Sequence, residues 1–162
     1  MYHNQRFVNT AKFGHTNTFL LKKFTDTWAI DPTNASFNGL FDTMNGLRWD
    51  FDITRELGFD TETLPPVYES SQVVGTLTSE AAKLLSLPEG LPVIAGGGDT
   101  GVAAYGAGVV QEGDILNSKG TVEVMVLCTE HPIGSEHYLI RTHPLTGKWL
   151  IMNIIPTGGE AI

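Results

Sequence analysis

Cys128 is the only cysteine in 162 residues. No internal disulfide can form, and no pair of thiolates is available for a zinc site. A reducing, cytoplasmic setting is therefore expected. Positive charge is also scarce. Ten Lys and Arg face eighteen Asp and Glu, for a formal net charge of −8, and no basic cluster occurs. Nucleic acid and anionic membrane surfaces are thereby excluded as main partners. No apolar stretch approaches the ~20 residues of a membrane span. The start, Met1-Tyr2-His3-Asn4-Gln5-Arg6, leads into no apolar run of the signal-peptide kind, so no secretory leader is expected. Internal repeats and low-complexity segments are missing too. What remains has the length and apolar content of an ordinary globular domain.

Local signals divide the chain into short elements. Phe19-Leu20-Leu21-Lys22-Lys23-Phe24 reads as one or two helical turns. Thr27-Trp28-Ala29-Ile30 alternates as a strand does. Asp31-Pro32-Thr33-Asn34 reads as a turn in which Asp31 caps the amides that follow. Asn34-Ala35-Ser36 also fits a glycosylation pattern, set aside because nothing points to secretion. Asn45-Gly46 predicts a hairpin between flanking strands. A helix is expected over Asp52 to Leu57, ended by Gly58. Val73 to Leu77 reads as a strand, followed by a helix over Ser79 to Leu87. Thr78 caps that helix, and Ala81, Leu84, Leu85 and Leu87 form its apolar side.

The centre of the chain is Leu91–Val110, LPVIAGGGDTGVAAYGAGVV. Leu91 to Ala95 reads as a buried strand of parallel type. Gly96, Gly97 and Gly98 form a turn, and a helix of small residues begins near Asp99 or Thr100. Ligands of open α/β sheets bind outside the carboxyl ends of strands, which places Asp99 at such a mouth. A carboxylate there can accept the proton of an attacking hydroxyl; it can equally cap the helix. Gly96, Gly98 and Gly101 also satisfy a dinucleotide fingerprint. That reading implies a nicotinamide-dependent oxidoreductase, but Asp99 would repel a pyrophosphate, and no acidic residue stands at the required spacing.

Beyond Val110, Gln111-Glu112-Gly113-Asp114 is a polar turn and the expected boundary between a unit over residues 1–110 and one over 111–162. Ile115 to Ser118 and Val122 to Leu127 should pair around Gly120 and Thr121. A second hairpin joins His137–Thr142 to Lys148–Ile155, and Thr157-Gly158-Gly159 should open a helix. His131, His137 and His143 recur every six residues. No standard zinc site has that spacing, so solvated histidines and no metal site are expected. Trp28, Phe41, Trp49 and Tyr68 are expected to serve as core and hairpin packing.

Three blocks in order carry a resemblance: Asp31-Pro32-Thr33-Asn34-Ala35-Ser36, the segment around Gly96 to Gly101, and Ser118-Lys119-Gly120-Thr121. Together they resemble the FGGY family of carbohydrate kinases, of xylulokinase type. The resemblance implies an α/β ribonuclease H-like, actin-like ATPase fold, present in part. Residues 1–110 would be the later part of the sugar-binding domain, and 111–162 the start of the nucleotide-binding domain. The family's opening Asp-x-Gly-Thr loop and its later adenosine segment are missing, which implies a central fragment with little turnover of its own.

The resemblance makes Asp99 the catalytic base and a substrate ligand, with Thr100 beside it. It places Gly120, Thr121 and Gly159 near the ATP phosphates, although Lys119 and Val122 depart from the family pattern. ATP and Mg²⁺ are the implied cofactors. The implied substrate is a ketose such as xylulose or a related polyol, and the implied assembly of the full-length enzyme is a homodimer. A binding module of the same topology without turnover is the main alternative.

Overall fold

The computed structural model describes residues 9–157. Helix α1 (Thr16–Thr25) leads to the four-residue α2 (Pro32–Ala35). Strands β1 (Phe41–Asp42) and β2 (Arg48–Trp49) form a small hairpin, followed by α3 (Phe51–Glu56) and a 3₁₀ turn (Thr61–Thr63). Next come β3 (Val73–Thr76), α4 (Ser79–Leu85), β4 (Pro92–Ile94) and α5 (Asp99–Gly106). Strands β5 (Ile115–Lys119), β6 (Glu123–Thr129), β7 (Leu139–Thr142) and β8 (Trp149–Ile155) complete the described elements.

Three of the five described α-helices begin at a side-chain cap that the sequence itself supplies. Asp31 accepts from the Asn34 amide, Asp50 from Asp52 and Ile53, and Thr78 from Ala81. Each cap satisfies a helix N–H that would otherwise lack a partner. Gly58 follows α3 at φ +78°, the left-handed position where glycine is least strained. The hairpin forms at Asn45-Gly46, but by a different device from the two-residue turn expected. Asp42 accepts from the amides of Asn45 and Gly46, and the positive φ falls on Leu47.

Strands β5 to β8 form one antiparallel sheet in the order β5-β6-β8-β7. Both expected hairpins are present in it. Ala104 of α5 and Val109 pack with Val126, Cys128, Leu150 and Met152 of β6 and β8. The helix of small residues thus meets this sheet through Ala104. A second cluster joins Ile30, Ala35, Leu40, Phe41, Trp49 and Leu64 around α2 and the small hairpin. Trp49 donates its indole N–H to the Pro65 carbonyl at 2.7 Å.

Several expectations are corrected. Strand β4 pairs antiparallel with β3, and it is largely exposed rather than buried. Among the described residues β3 is its only strand partner, so no parallel neighbour covers it. Thr27 to Ile30 is no strand; Ile30 makes one isolated parallel bridge to Val67. Helix α1 is longer than the one or two turns expected, since it extends back to Thr16. Helix α4 buries Ala81 and Ala82 rather than its leucines, and Leu84 is 83% exposed. Trp28 is likewise at the surface, where the Lys22 ammonium lies 5.5 Å from its ring centre. His143 is buried at 4% exposure rather than solvated. The helix expected after Thr157 lies outside the described residues, as does Gly159.

Candidate active site around Asp99

The glycine turn before α5 is held by a buried carboxylate. Asp31 has 0% exposure and accepts four hydrogen bonds. They come from the Thr33 hydroxyl, the Asn34 amide at 3.1 Å, the Asn34 side chain at 2.6 Å and the Asn17 side chain at 3.0 Å. A buried carboxylate is tolerated when it is hydrogen-bonded in this way. Two of those donors also grip the turn. Asn17 donates to the Ala95 carbonyl at 2.8 Å, and the Thr33 oxygen accepts from the Gly98 amide at 2.6 Å. The backbone comes so close that a Cβ at Gly97 would stand 2.9 Å from Val102 Cγ1 and 3.3 Å from Thr33 Oγ1. Glycine is needed here for space.

Asp99 leaves this turn as the first residue of α5, with Gly98 at the cap position. The carboxylate is exposed. Its Oδ1 accepts from the Thr100 amide at 2.6 Å and stands 3.3 Å from the Thr100 hydroxyl. Negative charge in a first turn is favourable. Asp99 lines an open cleft of about 410 Å³ together with His15, Asn17, Asn34, Phe37 and the Gly97 and Gly98 turn. Two amide side chains, an imidazole and a carboxylate around such a volume suit a small hydroxylated ligand.

Of the residues singled out in the sequence, the structure brings Asp99 and Thr100 together. Gly120 and Thr121 are exposed between β5 and β6 and lie outside that cleft. The Gly120 amide donates to the Val122 carbonyl at 3.1 Å, and a Cβ there would meet only that carbonyl, at 3.6 Å. His15, Asn17 and Phe37 were not anticipated, because nothing in Gly14-His15-Thr16-Asn17 or around Phe37 marks them locally. Asn34 stands in the sequence in a capping turn, a glycosylation pattern and the Asp31–Ser36 block, none of which marks it as a cleft residue. Among the described residues no group of three His, Cys, Asp or Glu is placed to hold a metal ion. The glycosylation pattern is closed, because Asn34 is buried and bonded to Asp31. The dinucleotide reading fails on topology, since β4 runs antiparallel to its neighbour where that fold needs a parallel sheet.

Comparison with known proteins gives a consistent result. The model of the N-terminal domain of the FGGY family of carbohydrate kinases matches residues 2–106. The autoinducer-2 kinase of Yersinia enterocolitica is 34% identical over 116 residues, which cover 72% of this chain and 22% of that relative. The chain thus spans about a fifth of the length of the curated relatives it matches. A xyloylose kinase from Brucella ovis superposes with TM-score 0.86 at 25% identity, over 93% of this chain and 31% of that one. The xylulose kinase of Rhodospirillum rubrum superposes with TM-score 0.93 over 99% of this chain and 33% of that one. Its 22% identity makes it a likeness of fold alone.

Proposed function

The chain belongs to the FGGY family of carbohydrate kinases, and from that premise we propose that it supplies the sugar-side wall of an ATP-dependent phosphotransfer site. Its fold is mixed α/β, a part of the ribonuclease H-like, actin-like fold of these kinases. In the proposed reaction a sugar hydroxyl in the Asp99 cleft attacks the γ-phosphorus of ATP. The bond from that phosphorus to the bridging oxygen breaks, ADP leaves, and Asp99 takes the hydroxyl proton. Thr100 holds the Asp99 carboxylate and contacts the sugar. Such a transfer depends more on position and charge than on covalent chemistry.

The observation that carries this reading is the way Asp99 is presented. An exposed carboxylate lines an open cleft at the end of a turn fixed by Asp31, Thr33 and Asn17. The ATP phosphates are proposed to lie against Gly120, where the missing side chain lets a ligand come close, against the Thr121 hydroxyl, which can donate to a phosphate oxygen, and against Gly159, which lies outside the described residues. Mg²⁺ would accompany the nucleotide and neutralise phosphate charge. The described residues form no cluster that fits it, so no step is assigned to it.

The boundary between a sugar-binding unit and a nucleotide-binding unit is proposed between residues 110 and 111. Asp114 there accepts from the amides of Val110 and Gln111, and the family match stops shortly before, at residue 106. The substrate proposed is a ketose such as xylulose or a related polyol. The likeness to autoinducer-2 kinases supports a second candidate, autoinducer-2 itself. A cytoplasmic enzyme acting as a homodimer is proposed with it.

The test is ADP release by the full-length protein that carries this segment, with ATP and a panel of pentuloses, hexuloses, polyols and autoinducer-2. Sugar-dependent ADP release is expected with one member of the panel. Binding of a sugar with no ADP release would favour the binding module without turnover.

A further inference from the structure

Arg141 stands apart from the other charged groups. It lies in β7 (Leu139–Thr142), half-buried, and its Nη1 donates to the Ser36 and Ile140 carbonyls, each at 3.0 Å. Its guanidinium carbon sits 4.1 Å from the centre of the Phe37 ring. No carboxylate pairs with it among the described ion pairs. A desolvated cation without an anion is costly, and stacking on an aromatic face is one of the few interactions that offsets the cost. The contact spans 105 positions of sequence and ties the sheet to the end of α2.

Phe37 is what Arg141 holds, and Phe37 is a wall of the Asp99 cleft. Phe37 as a whole residue is 46% exposed. His15, on the same cleft, lies 6.4 Å away. The residue just before it, Ser36, donates its hydroxyl to the Thr33 carbonyl at 2.9 Å, and Thr33 grips the glycine turn through Gly98. Arg141 therefore meets the cleft through Phe37 and the turn through α2.

We propose that Phe37 is a substrate-contacting residue that offers a flat apolar surface to the carbon face of the sugar, and that Arg141 is a positioning residue that fixes this ring. The inference rests on the kinase reading above and adds a specificity element to the same cleft. The wall beside Asp99 is set by a side chain from the sheet, beyond the segment that carries Asp99 itself. Loss of Arg141 frees the Phe37 ring and the Ser36 carbonyl, and leaves the Asp99–Thr100 contact intact.

The test uses the full-length protein carrying this segment, with the sugar that it phosphorylates. Arg141→Gln and Phe37→Leu should each raise KM for the sugar about three- to tenfold. For both variants KM for ATP and kcat should stay within about twofold. The double variant should raise KM no further than the worse single one, because both remove one element and coupled residues are non-additive. Arg141→Lys, which keeps charge but not the planar stack, should resemble Arg141→Gln. Phe37→Tyr should retain near-normal KM. If Arg141→Gln fails to fold by circular dichroism, Phe37→Leu alone decides the matter.

An unchanged sugar KM in Phe37→Leu would overturn the inference, as would losses that simply multiply in the double variant. Asp99→Asn separates the two claims. If it abolishes turnover while Phe37→Leu does nothing, the kinase reading stands and this one falls. If Asp99→Asn is near normal, the kinase reading itself falls.

Discussion

Burial works against charge on His143. The ring is enclosed at 4% exposure, with Nε2 2.9 Å from the Val109 carbonyl and Nδ1 accepting from the Leu145 amide at 2.8 Å. With Nδ1 an acceptor and Nε2 facing a carbonyl, the neutral Nε2–H form fits both contacts. Desolvation pushes its pKa below the ordinary 6.5; the Val109 contact opposes this, and nearby Lys148 adds to the lowering. The folded state therefore binds a proton less readily than the unfolded chain. Stability is full above about pH 6.5 and falls as pH drops from there toward the folded-state pKa. Thermal unfolding of this chain should give a lower midpoint at pH 5.5 than at pH 7.5, and His143→Gln should flatten the difference. A midpoint that stays constant over that range would contradict this reading. Asp114, held low by the Gln111 and Val110 amides, loses its contribution only in a separate window at more acid pH.

At the scale of elements, the glycine turn and α2 act as one unit joined at Thr33. Thr33→Val keeps the volume but removes the acceptor of the Gly98 amide and a donor to Asp31. A buried polar group left unsatisfied costs about 1–3 kcal/mol, so urea unfolding of this variant should show a loss of that size. A loss below about 0.5 kcal/mol would mean that the turn is held by other contacts. This unit also shows where the sequence is legible. Asp31, Thr78 and Gly58 act through neighbours a few positions away, and each end of helix they mark is found where expected. The hairpins at Asn45-Gly46, Gly120-Thr121 and Pro144 to Gly147 are equally local. Leu84 misleads because helical spacing cannot say which face a neighbour covers: Ala81 is buried as expected, but Ala82 joins it in place of Leu84. β4 misleads because strand direction depends on a partner, β3, that the segment itself does not contain. The place of Asp99 at the start of α5 is legible from its turn, whereas His15 and Phe37 reach the cleft, and Arg141 reaches Phe37, through contacts far apart in sequence, which no local pattern encodes.

Across the whole molecule, helix α5 starts at the Asp99 cleft and packs its Ala104 with Val126, Cys128, Leu150 and Met152 of the sheet. On the proposed reading this chain holds one base and one phosphate turn, while positioning of both substrates requires a longer protein. Isolated residues 1–162 should therefore release ADP far below the ~1–100 s⁻¹ usual for kinases; a coupled assay giving rates in that range would contradict the expectation. The central claim concerns Asp99, and the most direct test is the steady-state kinetics of Asp99→Asn in the full-length protein. Asparagine keeps the size and the contact with Thr100 but cannot take the proton. The account predicts that kcat falls by about 10²–10⁴, with sugar KM changing much less. A kcat within about twofold of the parent, well short of that loss, would contradict it and leave Asp99 as the opening residue of a helix.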